Sequence, residues 1–162
     1  MNSSAIKYLD QELLNRIALT AHNNSRLRQN YNFHNPAEKV QRFINVLQPG
    51  TYVRPHRHRR DSGVNGFEFF LALQGTLGLL ILNDQGQVIQ QQRVSADGPV
   101  RAVELAEGTY HTLVALAPNT AILELKEGPY EPSTDKEFLE TFPQEGTGAA
   151  QRLVETWQLH FN

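Results

Sequence analysis

Apolar residues recur at helical spacing near the amino terminus, at Ile6, Leu9, Leu13, Leu14 and Ile17, with Ser3 or Ser4 placed to cap the first turn. The pattern predicts one amphipathic helix lying on the outside of whatever the remaining chain builds. From Val40 the texture changes to short β-rich runs, broken by Pro49-Gly50, Asn83-Asp84-Gln85-Gly86, Asp97-Gly98-Pro99 and Ala117-Pro118-Asn119. Strands are expected over 41–48, 51–57, 67–74, 76–83, 86–93, 100–105, 111–117 and 120–127. Eight strands at this turn spacing suit an all-β, double-sheet jelly roll. After Tyr130 the chain is polar and irregular: Pro132, Ser133 and Asp135 lead into a short helix or loop, and 146–148 mark a flexible join. Leu153, Trp157 and Leu159 then suggest a final segment that docks on the barrel or on a partner subunit. The expected organisation is a helix and arm over 1–39, a barrel over 40–130 and a carboxy-terminal extension over 131–162.

Composition narrows the class. A chain of 162 residues with 40% hydrophobic content can bury a core, and its length suits one domain. With 20% charged residues and a formal net charge of −2 there is no basic field for nucleic acid. No apolar stretch approaches the roughly 20 residues needed to span a bilayer. The amino terminus MNSSAIKYLDQELLNRIA is too polar for a signal peptide, so cytoplasmic residence is expected. Absence of cysteine excludes disulfides and thiolate ligands, so any metal must be held by nitrogen and oxygen.

The candidate chemistry lies in GTYVRPHRHRRDSGVNGFEFFLALQG. Strands alternate their faces, so His56 and His58 can aim at one point while Arg57 turns away. Glu68 is the charged residue of the apolar run that follows, and His111 comes just after the turn signal Glu107-Gly108. Three imidazoles and a carboxylate suit a divalent first-row transition metal. Each has a plainer reading. RPHRHRR can be a solvated cationic turn, Glu68 can pair with Arg59 or Arg60, and His111 can be a hydrogen-bonded core histidine. His34 reads as a loop residue near the site, and His22 and His160 as surface residues.

Gly50, five residues, His56, one residue, His58, a spacer, Glu68, six residues and Gly75 resembles the first cupin motif, and Glu107-Gly108 with His111 resembles the second. The resemblance implies the cupin double-stranded β-helix, a jelly-roll barrel, with His56, His58, Glu68 and His111 as metal ligands. Two departures stand out. The nine-residue spacer before Glu68 is longer than the family's usual one, and Ala106 and Ala115 replace the Pro and Asn usual in the second motif. Arg26-Leu27-Arg28, Asn32-Phe33-His34, Gln41-Arg42, Pro55-His56-Arg57-His58 and the run from Glu124 to Tyr130 are arranged as in the WbuC-type cupin-fold metalloproteins, over about 26 to 146. That family is found among bacterial O-antigen and polysaccharide genes.

Parity nominates further residues. If His56 and His58 face inward, Arg54 and Tyr52 share their face on a regular strand; otherwise they decorate its surface. Glu124 and Lys126 alternate with Leu123 and Leu125, so one pair or the other lines the interior, and the resemblance favours the polar pair beside Tyr130. Inward Lys126 and Arg54, extended by Arg42, would form an anion-binding wall for a carboxylate, phosphate or sugar nucleotide. The implied protein is a homodimeric metalloprotein holding zinc, iron, manganese or nickel and a small anionic or sugar-derived ligand. In an isomerase or epimerase, Lys126, Glu124 or Tyr130 would move the proton, with Arg54, Tyr52, Lys126 and Arg42 binding substrate. A non-haem iron dioxygenase and a non-catalytic, metal-dependent binding module are the alternatives. Leu9, Leu13 and Ile17 offer an apolar stripe for the dimer.

Overall fold

The computed structural model describes residues 5–60 and 63–162. The first helix, α1 (Gln11–Asn23), starts later than the apolar spacing suggests, because Asp10 caps it by accepting the Leu13 N–H at 2.8 Å. Ile6 and Leu9 therefore precede the helix, and the expected caps Ser3 and Ser4 lie outside the described residues.

Among the described residues ten strands form two five-stranded antiparallel sheets. One has the order β1 (Arg28–Asn32), β2 (Val40–Leu47), β9 (Thr120–Glu127), β4 (Glu68–Gln74), β7 (Ala102–Leu105). The other runs β10 (Glu137–Phe138), β3 (His56–Arg57), β8 (Tyr110–Ala115), β5 (Thr76–Leu82), β6 (Val88–Ser95). The strand expected over 51–57 shrinks to His56–Arg57, since Pro55 has no N–H to donate to a ladder. Strands β1 and β10 were not expected: β1 is Arg-Gln-Asn-Tyr-Asn, without apolar alternation, and β10 has two residues.

Inward and outward residues alternate cleanly. Leu47, Phe70, Ala72, Leu77, Leu79, Leu113, Ala115 and Ile122 fill the space between the sheets. On the outer face of one sheet, Ile44, Val46 and Ala121 pack against Leu13, Leu14, Ile17, Ala18 and Ala21 of α1. Leu13 and Ile17 are thus buried against their own barrel, and the stripe expected to serve a dimer is not free to do so. The other sheet is covered by α2 (Gly148–Gln158), capped by Thr147, and by the 3-10 turn Leu159–Phe161. Val154, Trp157 and Phe161 cluster there with Tyr52, Leu80 and Val114. Among the described residues no helix is long and apolar enough to cross a membrane.

The inward rows also change character along their length. Going from one end of the barrel to the other, Glu68 gives way to Phe70 and Ala72, His111 to Leu113 and Ala115, and Lys126 and Glu124 to Ile122. One end is a packed apolar core, and the other is a polar cavity.

Candidate metal centre

At the polar end, β3 and β8 place His56 directly opposite His111, with ring centroids 4.6 Å apart. His58 follows β3 by one residue, and its ring lies 5.1 Å from that of His56. Glu68 opens β4 in the opposing sheet, with its carboxylate oxygens 3.1 Å from His58 Nε2 and 3.1 Å from His111 Nε2. One nitrogen or oxygen from each of the four residues lies within 4.8 Å of all the others, and all four residues are buried. The motif glycines serve this placement through the backbone. Gly50 and Gly75 have φ of 94° and 71°, and a Cβ on Gly75 would sit 3.0 Å from the Thr120 backbone. Glu107 clamps the long 59–67 spacer by accepting the Arg60 N–H at 2.6 Å, while the Gly108 N–H donates to the His58 carbonyl at 2.8 Å.

The hydrogen bonds show what the cluster lacks. The Nδ1 atoms of His56, His58 and His111 face the backbone carbonyls of Arg54, Asp135 and Thr109. A carbonyl only accepts, so each Nδ1 carries a hydrogen and each Nε2 is turned toward the cluster. Burial holds the His56 imidazole well below the ordinary histidine value, with Lys136 adding to the shift and Glu68 opposing it. Burial lowers His111 as well, against the pull of Glu68. Burial pushes Glu68 up, but the facing His111 and His58 outweigh it and keep the carboxyl well below the usual range. The lone pair of a neutral His111 would then face a carboxylate lone pair at 3.1 Å, and His58 Nε2, also 3.1 Å from Glu68, has no hydrogen-bond partner. A cation at the convergence point would satisfy all four groups, so the donor set fits a divalent metal. Two plainer readings fail on contacts: His56 and His58 are buried rather than solvated, while Arg60 pairs with Asp135 at 2.7 Å and Arg59 lies 4.0 Å from Glu137.

A cavity of about 770 Å³ opens from this cluster. Glu124, Lys126, Tyr130 and Arg54 line it. The two expected cations are internally matched. Lys126 Nζ lies 3.2 Å from Glu124 and 3.4 Å from Asp135, and Arg54 lies 3.3 Å from Glu140. Burial pushes Lys126 down, but Glu124, Glu68 and Asp135 prevail and hold it raised. Glu124 also accepts from Asn45 at 2.6 Å.

Tyr52 and Arg42 need correction, since neither lines the cavity. Tyr52 stacks on Trp157 at 5.6 Å and donates its hydroxyl to the Pro143 carbonyl at 2.8 Å, and burial pushes its phenol up to about 12. The parity argument fails because 51–55 is not strand: consecutive Val53 and Arg54 both line the cavity, which a pleated strand forbids. Arg42 lies on β2, whose Phe43, Asn45 and Leu47 face inward; it points the other way, to Glu38. Asp135 and Lys136 were missed as site residues. They lie in an irregular polar segment whose distance from His56 and His58 along the chain gives no spacing signal.

Residues 9–94 match a family model described as Domain of unknown function (DUF6016). No curated protein matches the chain. Among solved structures, the chain resembles the capsular polysaccharide assembling protein CapF from Staphylococcus aureus, with 20% identity and a TM-score of 0.57 over 71% of this chain and 30% of that one. It also resembles oxalate decarboxylase from Bacillus subtilis, with 16% identity and a TM-score of 0.51 over 69% and 27%. A conserved protein of unknown function from Streptococcus pyogenes, 14% identical, aligns over 81% of this chain and 95% of its own with a TM-score of 0.50. The chain thus spans about a third or less of CapF and of the decarboxylase. These likenesses, with the two facing sheets, show the cupin jelly-roll fold.

Proposed function

The chain belongs to the DUF6016 family, and we propose that it is a metal-dependent isomerase or epimerase of a small sugar-derived molecule. The carrying observation is the convergence of three Nε2 atoms and one ionised carboxylate, all buried, beside the cavity. His56, His58, Glu68 and His111 would hold one zinc, iron, manganese or nickel ion, which when bound supplies Lewis acidity to a ligand oxygen.

The remaining roles fall to this chain's own side chains. Raised by the carboxylates of Glu124, Glu68 and Asp135, Lys126 stays an ammonium ion and donates a hydrogen bond to a ligand oxygen on which negative charge develops. Glu124, held by Asn45 and Lys126, is the proton acceptor. Tyr130 stands on the cavity wall as a second donor. The amide-rich lining, Asn30, Asn32 and Asn45, suits hydroxyl groups. A setting in polysaccharide metabolism follows the WbuC-type resemblance and the assembly role named for CapF. A cytoplasmic homodimer belongs to the same reading, since β1, β7, β10 and β6 are edge strands that a partner can cover. Light scattering at twice 18.3 kDa is its measure.

Elemental analysis of protein purified without added metal tests the core of the proposal. One ion per chain is expected, and none in the His56→Ala, His58→Ala double variant. Equal metal content in the two proteins would reject it. Deuterium wash-in from D₂O at a sugar carbon, abolished in Glu124→Gln, is the test of the reaction class.

A further inference from the structure

Most polar groups of the cavity already have partners: Lys126 with Glu124 and Asp135, Arg54 with Glu140, Arg28 with Glu145. Among those that do not are Lys136 and His34. Lys136 forms no hydrogen bond or ion pair with another described residue. Although exposed as a residue, it lines the cavity together with His56, Glu68 and His111. Burial of its amino group lowers its pKa, with Glu124 opposing and Lys126 assisting.

The other donor is on His34, which is 6% exposed and lines the same cavity. Its tautomer follows from the backbone. The Arg42 carbonyl already accepts the Phe33 N–H at 3.0 Å, and the Phe33 carbonyl is taken by Lys7 Nζ at 2.6 Å. His34 Nδ1 lies 3.0 Å from the Arg42 carbonyl but closer, at 2.8 Å, to the Arg42 N–H, which can only donate and needs an acceptor. Nδ1 therefore accepts, and Nε2 carries a hydrogen that has no partner. The ring is set edge-on against Phe43, 4.5 Å away, over which Lys126 also lies.

We propose that Lys136 and His34 are the ligand-holding pair of this cavity, Lys136 taking an oxyanion group beside the metal cluster and His34 Nε2–H donating to a neutral oxygen of the same molecule. The inference deepens the reading of the cavity as a ligand site. It moves the anion contact from Arg54 and Lys126, whose charges are matched, to the cation whose charge is not. A buried donor without an acceptor costs free energy until a ligand supplies one, and a cation on the cavity wall that no carboxylate ion-pairs is free to take an anionic group. A cavity of about 770 Å³ has room for a hexose with a charged substituent.

Calorimetric titration of glucose, glucuronate and glucose 6-phosphate into wild type and Lys136→Met, each with and without added zinc, tests the proposal. The three probes share a ring and differ in the group at one carbon. Wild type should prefer an anionic probe over glucose by about tenfold or more, and Lys136→Met should lose that preference while unfolding at an unchanged temperature. Preference for glucuronate alone assigns a carboxylate, and for glucose 6-phosphate alone a phosphate. For His34, whose replacement would strip Arg42 of its acceptor, long-range ¹H–¹⁵N correlation should show hydrogen on Nε2 and a shift of that signal on binding. A preference that survives in Lys136→Met, no preference in wild type, or hydrogen on Nδ1 would overturn the inference. Metal content is read separately. Protein that holds an ion yet shows no Lys136-dependent preference refutes the pair alone, and protein without an ion that keeps the preference refutes the metal centre alone.

Discussion

The backbone carbonyl of Asp135 receives the Nδ1 hydrogen of His58, a residue 77 positions earlier in the chain. The same residue's carboxylate binds Arg60 and Lys126, so one aspartate ties the segment after β9 to the histidine pair. Asp135 is 2% exposed. Replacing it with Asn leaves Arg60 and Lys126 without their shared counter-charge, which should cost about 3–5 kcal/mol in urea unfolding. Metal content should persist, because the contact to His58 is made by the main chain.

Removal of metal should lower thermal stability. An ion present at 100 times its dissociation constant adds about 2.7 kcal/mol, so chelation should lower Tm by roughly 5–10 °C for a chain of this size. Calorimetry before and after dialysis against a chelator measures it. His111→Ala should show no such difference, since it has already lost a ligand.

Acid should destabilise the metal-free protein in a defined direction. His56 and His111 are lowered from 6.5 in the folded state, so the unfolded chain takes up protons first as pH falls below that value. Stability present above pH 6.5 is then lost as pH falls toward the folded values. Glu68, lowered from 4.5, adds a second loss of the same sign at lower pH. Urea midpoints that stay flat from pH 7 to pH 5 would contradict this.

Gly75→Ala should be costly for a surface turn. The position has φ of 71°, and the new Cβ would meet Thr120 Oγ1 at 2.7 Å as well as its backbone. A loss of about 1–3 kcal/mol from conformation is expected, with the contact adding to it.

Trp157→Ala should unfold the protein more readily without touching the metal. Trp157 is 4% exposed, stacked on Tyr52 and packed near Phe142. Loss of about 3–5 kcal/mol with unchanged metal content is the expected result.

How far the chain could be read depended on the range of the signal. Gly50, His56, His58, Glu68, Gly75 and His111 lie within motifs whose spacing is local, and alternation along β4, β8 and β9 turned their side chains inward as periodicity demands. Tyr52 was misplaced because Pro55 breaks the strand on which its parity was counted. The helix stripe of Leu13 and Ile17 was legible as apolar, but its partner, the outer face of β2, could be assigned only in three dimensions. Strand β1 hid because hydrogen bonds to β2, rather than apolar residues, make it a strand. Asp135, Lys136 and the Nε2–H of His34 acquire meaning only through contacts made across the fold.

His56 and His111 stand on one sheet, with His58 just past the end of β3, and Glu68 stands on the other. An ion gripped by both is a rivet through the sandwich. Sliding or parting of the layers must stretch the span between the carboxylate and the imidazoles, so breathing of the barrel and escape of the ion become one motion. Loading the site should therefore slow amide exchange in the β3–β8 pair and in β4 together, rather than in either sheet alone.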